Sequence, residues 1–252
     1  MCVIFFSFGE YPEYPLILAA NRDEFYRRAT RPAAVWQDAP NILGGRDEEQ
    51  GGTWLGATRD GRGGAITNFR EKPDPDKQSR GLILSGFLSG VDQPGPYLRS
   101  LESEAQKYNG FNVLLGTTSE VFYYSNRGGG LRKLSPGLYG LSNAVLDTPW
   151  PKVEAGKEEL RRALETGPDT DRLLGLLADE TKAPDDQLPQ TGIPVEFERL
   201  VSSRFIRSPI YGTRASTVLV RRADGHTVLE EQSFLVGGQP GPRVHLEWDI
   251  VV

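Results

Sequence analysis

The chain has 252 residues, with 29 Lys and Arg against 34 Asp and Glu, a formal net charge of −5, one cysteine and two histidines. The acidic balance, with no basic stripe to neutralise phosphates, excludes nucleic-acid binding. One cysteine excludes an internal disulfide and a cysteine-rich metal cage, and no run of about 18 apolar residues is present to span a membrane.

The first ten residues, Met-Cys-Val-Ile-Phe-Phe-Ser-Phe-Gly-Glu, have no positive n-region and too short an apolar run for a signal peptide, so the expected location is cytoplasmic. Residues 2–8 and 16–22 are short, apolar and β-branched or aromatic, and the stretch between them, Gly-Glu-Tyr-Pro-Glu-Tyr-Pro, is full of turn residues. They read as an antiparallel hairpin. A turn near Pro12 makes paired positions sum to about 24, which sets Cys2 opposite Arg22 with Asp23 immediately beyond. The glycine-rich segments 51–58 and 63–69 flank Asp60-Gly61 and read as a second hairpin. Glycine inside strands marks either a ligand or another backbone in close approach, or a bulged or tightly packed edge.

Two helices follow, one from Ser79 as N-cap through Leu82, Ile83, Phe87 and Leu88, the other carrying Tyr97, Leu98, Leu101 and Ala105. Residues 112–116 and 121–125 form a hairpin, Arg127-Gly128-Gly129-Gly130 is a loop, and 138–143 ends another strand. A second helical block starts at Pro151, suited to a first turn, and continues through Leu173, Leu174 and Leu177. Residues 183–194, with three prolines, form a surface loop or a mobile flap. Residues 215–220 and 227–234 pair across Ala223-Asp224-Gly225, and 245–252 closes the sheet. This order is not the strict βαβ alternation of a doubly wound sheet. It predicts an α+β fold, a single domain over 1–252, in which a sandwich of two antiparallel sheets lies between two helical layers.

Cys2 has two readings. With Met1 removed it is a terminal residue whose amine, of ordinary pKa about 7.7–8.0, serves as general base to its own thiol. Otherwise it is a small hydrophobe at the start of a strand. Asp23 can accept hydrogen bonds from the amine or orient the thiol, and Arg22 can hold a substrate carboxylate or lower the thiol pKa. Asn68 and Asn143, at strand ends, can donate to an oxyanion or simply form turns. Arg214 either faces the site or caps a surface. His226 and His245 fall in no catalytic or metal-ligand spacing, so no metal site is expected.

Met1-Cys2, the tetrad Asn21-Arg22-Asp23-Glu24, Gly51-Gly52-Thr53-Trp54-Leu55-Gly56, Thr67-Asn68-Phe69-Arg70, Leu141-Ser142-Asn143 and Tyr211-Gly212-Thr213-Arg214 together resemble the NRDE family, also called the transport and Golgi organisation protein 2 family. That family looks like a relative of the N-terminal-cysteine (Ntn) hydrolases, which include penicillin V acylase and bile salt hydrolase. The resemblance implies a four-layer αββα sandwich and amidohydrolase chemistry that requires no cofactor. It implies Cys2 as nucleophile, Asp23 at its amine, Asn68 and Asn143 at the oxyanion, and Arg22 and Arg214 as substrate contacts. The hydrolases carry an arginine three residues before the aspartate, where this chain has Ala20. The resemblance also brings a second role, a non-catalytic carrier of haem or another hydrophobic ligand in the same cleft.

Overall fold

The computed structural model describes residues 2–250. Met1, Val251 and Val252 lie outside the described residues, and with them the last two positions of the expected closing strand. β1 (Cys2–Tyr11) and β2 (Tyr14–Phe25) form the first hairpin, turning at Pro12-Glu13. Its register pairs Cys2 with Arg22, as the sum of 24 predicts.

Strand alternation sorts the side chains of β1 into two cores. Val3 and Phe5 point to one face with Ile17 and Ala19 of β2, while Ile4, Phe6 and Phe8 point to the other with Leu18 and Ala20. A central strand buried on both faces needs a layer on each side. On the first face lie α3 (Pro151–Leu164) and α4 (Thr170–Leu177), which bury Leu160, Leu164, Leu173, Leu176 and Leu177. Pro151 starts α3, where its missing N–H is not needed.

Gly156 of α3 sits on Phe5 so closely that a Cβ there would lie 2.1 Å from the ring. Glycine to alanine normally strengthens a helix by about 1 kcal/mol. Here the sign inverts: Gly156→Ala is expected to destabilise by about 1–3 kcal/mol through overpacking, read as a lowered urea midpoint. A midpoint equal to or above wild type would show that helix and sheet are not in this contact.

The first sheet has the order β10-β1-β2-β11-β12-β13, all antiparallel, with β10 (Gly137–Leu141), β11 (Tyr211–Arg221), β12 (His226–Leu235) and β13 (Gln239–Asp249). The second face of β1 packs on a seven-stranded antiparallel sheet. In order, its strands are β3 (Thr30–Val35), β4 (Ile42–Asp47), β5 (Leu55–Thr58), β6 (Gly63–Asn68), β7 (Phe111–Gly116), β8 (Val121–Ser125) and β9 (Gly130–Lys133). Leu114 and Tyr123 enter the core between the sheets. Val113 and Leu115 turn outward onto α1 (Gly81–Ser89) and α2 (Pro94–Glu102). The fold is therefore α+β, helices on sheet on sheet on helices. Among the described residues, no helix is long and apolar enough to cross a membrane.

The glycines of the second hairpin admit a helix. A Cβ on Gly64 would lie 2.4 Å from the Leu114 carbonyl oxygen and 2.8 Å from Leu84 of α1, and one on Gly56 would lie 2.9 Å from Leu88.

Several local expectations are corrected. The hairpin strands begin at Leu55 and end at Asn68, so residues 51–54 are irregular. The N-cap of α1 is Arg80, not Ser79, and it makes no side-chain cap. Ala105 belongs to a separate short 3-10 turn (Ala105–Lys107). Gly130 opens β9 rather than extending the loop, and the last strand starts at Gln239, not His245. Strands β3 and β4 and the short helix α5 (Val195–Leu200) were not foreseen, and a 3-10 turn (Asp185–Gln187) interrupts the proline-rich loop.

Candidate active site

Cys2 opens β1 and reaches a cleft of about 350 Å3. The cleft is bounded by Cys2, Arg22 and Asp23 of the first hairpin, by Trp54, by Thr67 and Asn68 at the end of β6, and by the segment running into α1. The tetrad at the end of β2 alternates in function as a strand must. Asn21 points to the helical side, donating to the carbonyls of Leu177 (2.9 Å) and Arg204 (2.8 Å) and accepting from Ser216 at 2.5 Å, so it is a structural tie. Arg22 turns into the cleft, where its guanidinium stacks 4.4 Å over Trp54, donates to Thr30 at 3.0 Å and pairs with Asp47 at 3.5 Å. Ala20, on the same face, is buried in the core between the sheets.

Asp23 is 2 % exposed. Its Oδ1 accepts from Thr213 at 2.8 Å, and its carbonyl accepts from the Tyr211 hydroxyl at 3.0 Å. Both partners lie on β11, where the register with β2 shifts by one residue between Thr213 and Ala215. The extra residue of this bulge is Arg214. Its guanidinium donates to the carbonyls of Phe25, Tyr26 and Arg28, and it is not part of the cleft lining.

The Ser142 hydroxyl donates to the Cys2 carbonyl at 3.0 Å. Asn68 lines the cleft. Asn143 lies behind it, fully buried, and gives its amide hydrogens to the carbonyl and the Oδ1 of Asn68, at 2.9 and 3.0 Å. The two asparagines are in contact but differ in position. Asn68 faces the reacting volume, and Asn143 fixes its side chain. A second tier holds this pair: Arg70 N–H donates to the Asn143 carbonyl at 2.7 Å, Thr67 donates to Ser142, and Asn112 donates to Thr67 while accepting from Tyr123. Asn112, Tyr123 and Ser142 carry no local sign of this role in the sequence.

Behind Asp23, Lys152 is buried in the first turn of α3, its Nζ donating to the carbonyls of Val201 (2.8 Å) and Ser203 (3.4 Å). Burial, and then the neighbouring Arg70 cation, pulls its pKa down to about 8, while the charges of Asp23 and Cys2 act the other way. Burial raises the Asp23 carboxyl, opposed by Lys152, Thr213 and Arg22. Burial also raises the Cys2 thiol above its ordinary 9.0, opposed in part by Arg22.

A thiol raised by burial is protonated at neutral pH, and only the thiolate is nucleophilic. Alkylation of Cys2 by iodoacetamide is accordingly expected to accelerate with pH through 9.0, with a midpoint above that value. Lys152, pulled down to about 8, is neutral where the thiol titrates, so Lys152→Met is expected to leave that midpoint in place. A rate plateau below pH 8.5 would refute this order of effects. Among the described residues, no cluster of three or more His, Cys, Asp and Glu side chains is placed to hold a metal.

Two antiparallel sheets between helical layers, with a cysteine at the head of a central strand, place this chain in the class of Ntn-hydrolase folds. It resembles the C2A mutant of conjugated bile acid hydrolase from Clostridium perfringens, at 9 % identity and a TM-score of 0.50, over 99 % of this chain and 92 % of that one. It is also similar, at 12 % identity and a TM-score of 0.46, to a Caenorhabditis elegans N-acylethanolamine-hydrolyzing acid amidase ortholog, over 87 % of this chain and 92 % of that one. At 9 % identity the likeness to the bile acid hydrolase concerns the fold alone. The chain belongs to the Transport and Golgi organisation 2 family, whose profile matches residues 1–235. It is 39 % identical over 267 residues to the Transport and Golgi organization protein 2 homolog of Bos taurus, covering 95 % of each chain. To the Drosophila melanogaster protein it is 32 % identical, over 99 % of this chain and 96 % of that one.

Proposed function

We propose that this protein is an Ntn-type cysteine amidohydrolase acting on an acyl amide C–N bond. The observation that carries the reading is the hairpin register: Cys2 stands opposite Arg22, with Asp23 next to it and Asn68 on the same cleft. The thiolate attacks the acyl carbonyl, forming the S–C bond, and the negative oxygen is met by the Asn68 side chain, held in place by Asn143. The C–N bond then breaks, and the proton taken from the thiol goes to the leaving amine. Water adds to the thioester, the carboxylic acid leaves, and the thiol is regenerated.

The raised thiol needs a base. The α-amino group of Cys2, once Met1 is removed, has an ordinary pKa near 7.7–8.0 and sits on the same residue. Lys152 is tied to two carbonyls and serves instead to balance Asp23. The test is intact mass of protein purified from cells, before and after brief exposure to acyl amides. Loss of Met1 and an acyl adduct confined to the peptide carrying Cys2 support the reading, and retained Met1 overturns the amine-assisted route. A free thiol nucleophile suits a reducing compartment, and the cytoplasm is the proposed location.

The competing role, a carrier of haem or another hydrophobic ligand in the same cleft, meets a lining rich in charged and amide side chains. That lining offers Cys2 as its one axial ligand among the described residues, and neither histidine is part of it. Absorbance titration with haemin separates the two: a saturable shift lost in Cys2→Ala favours the carrier.

A further inference from the structure

The cations around Cys2 are unequally committed. Arg22 is engaged by Asp47, Thr30 and the Trp54 ring. Arg28 pairs with Asp47 at 2.6 Å and with Glu24 and Glu49 at 3.9 and 3.6 Å. Lys77 donates to the Gln106 carbonyl, and Asp74, the exposed acid of the cleft, accepts the backbone N–H of Asp76. Arg80 differs. It lines the cleft just before α1, and its guanidinium makes one hydrogen bond, from Nη1 to the Gly110 carbonyl at 3.0 Å. Among the described residues it has no carboxylate within ion-pair distance. Burial pulls its pKa down, and Cys2 is the first of the groups acting in the opposite sense, ahead of Glu24 and Glu71. A half-buried guanidinium with free N–H groups and no paired carboxylate among the described residues is a fork shaped for a planar anion.

We propose that the cleft takes acyl amides bearing a carboxylate, and that Arg80 grips that carboxylate so that the scissile amide lies at Cys2. As a statement about substrates this rests on the amidohydrolase reading. As a statement about ligand class it rests on Arg80 and the cleft. Arg22, the arginine that the sequence singles out for this role, is already satisfied, and its place is to shape the cleft wall beside the thiol.

The experiment uses N-acylglycines of graded chain length, from N-acetylglycine through N-benzoylglycine to N-decanoylglycine, each beside its neutral glycinamide. Because Cys2 is the sole cysteine, its alkylation by neutral iodoacetamide can be followed by intact mass, and protection reports occupancy of the cleft. In the wild-type protein at least one acid is expected to protect about tenfold to a hundredfold better than its amide, the range for a hydrogen bond to a charged group. Arg80→Gln is expected to bring that ratio near one, and Arg80→Lys to retain part of it. Ratios are taken within each variant, so a shifted thiol reactivity cancels, and circular dichroism confirms folding.

Equal protection by acid and amide at every chain length overturns the proposal. So does absence of protection by any acid, or a preference that survives in Arg80→Gln. Glycine release from the same acids, compared between wild type and Cys2→Ala, tests hydrolysis separately. Protection without release removes the amidohydrolase reading and leaves the carboxylate site. Equal Cys2-dependent turnover of acids and amides removes the carboxylate site alone.

Discussion

Cys2→Ala is expected to lower amide hydrolysis by about 10^4-fold or more, the scale seen when a nucleophile is deleted from a unit that acts together. The substitution removes one sulfur from a partly exposed side chain. It leaves the strand hydrogen bonds to Arg22 and the Ser142 bond to the Cys2 carbonyl in place. The thermal midpoint should therefore stay within a few degrees of wild type, so that lost turnover reports chemistry rather than unfolding. Asp23→Asn makes the complementary measurement. It keeps an acceptor for Thr213 but removes the buried charge that Lys152 and Arg22 oppose, and turnover should fall while the fold persists. Residual activity in Cys2→Ala above about one part in a hundred would move the nucleophile elsewhere.

The second large effect concerns stability. Arg70 and Glu198 form an ion pair whose side chains are 3 % and 5 % exposed, and the Arg70 guanidinium also stacks 4.4 Å over Trp150. Glu198 further accepts from the backbone and hydroxyl of Thr191, pinning the proline-rich loop. Glu198→Ala would leave a buried cation without its anion, in a neighbourhood already occupied by the Lys152 ammonium. The expected cost is about 3–5 kcal/mol, or roughly 10 °C in the thermal midpoint for a chain of this size. Arg70→Met with Glu198→Leu together should recover most of it, because an apolar pair of similar volume needs no counter-charge. A Glu198→Ala protein melting like wild type would show that water reaches Arg70 freely.

The first hairpin was legible because its turn residues and its two apolar runs act over twenty-odd residues, and one register places both cores correctly. The same local reasoning passes over β3, which contains Pro32, and the first half of β13, which contains Pro240 and Pro242. Both are edge strands, where a missing N–H faces no partner, so proline does not forbid them. The pairing of Asn68 with Asn143 spans 75 positions, and the division of labour between them depends on which amide is turned toward the cleft. Arg80 gave no local signal. Its significance lies in what is missing around it, an acid that only the folded neighbourhood could have supplied. The fate of Arg214 was equally hidden, since it follows from a single-residue bulge against β2.

The central place of the first hairpin bears on synthesis. β1 and β2 are made before the strands that flank them: β1 needs β10, and β2 needs β11, whose residues follow roughly two hundred positions later. Until then the hairpin presents two unsatisfied edges, a hazard for wrong pairing that chaperones would have to cover. Asp23 likewise waits for Thr213 and Tyr211. A nascent chain therefore carries Cys2 long before β11 arrives to complete the surroundings of Asp23, so the proposed site can form only late in synthesis.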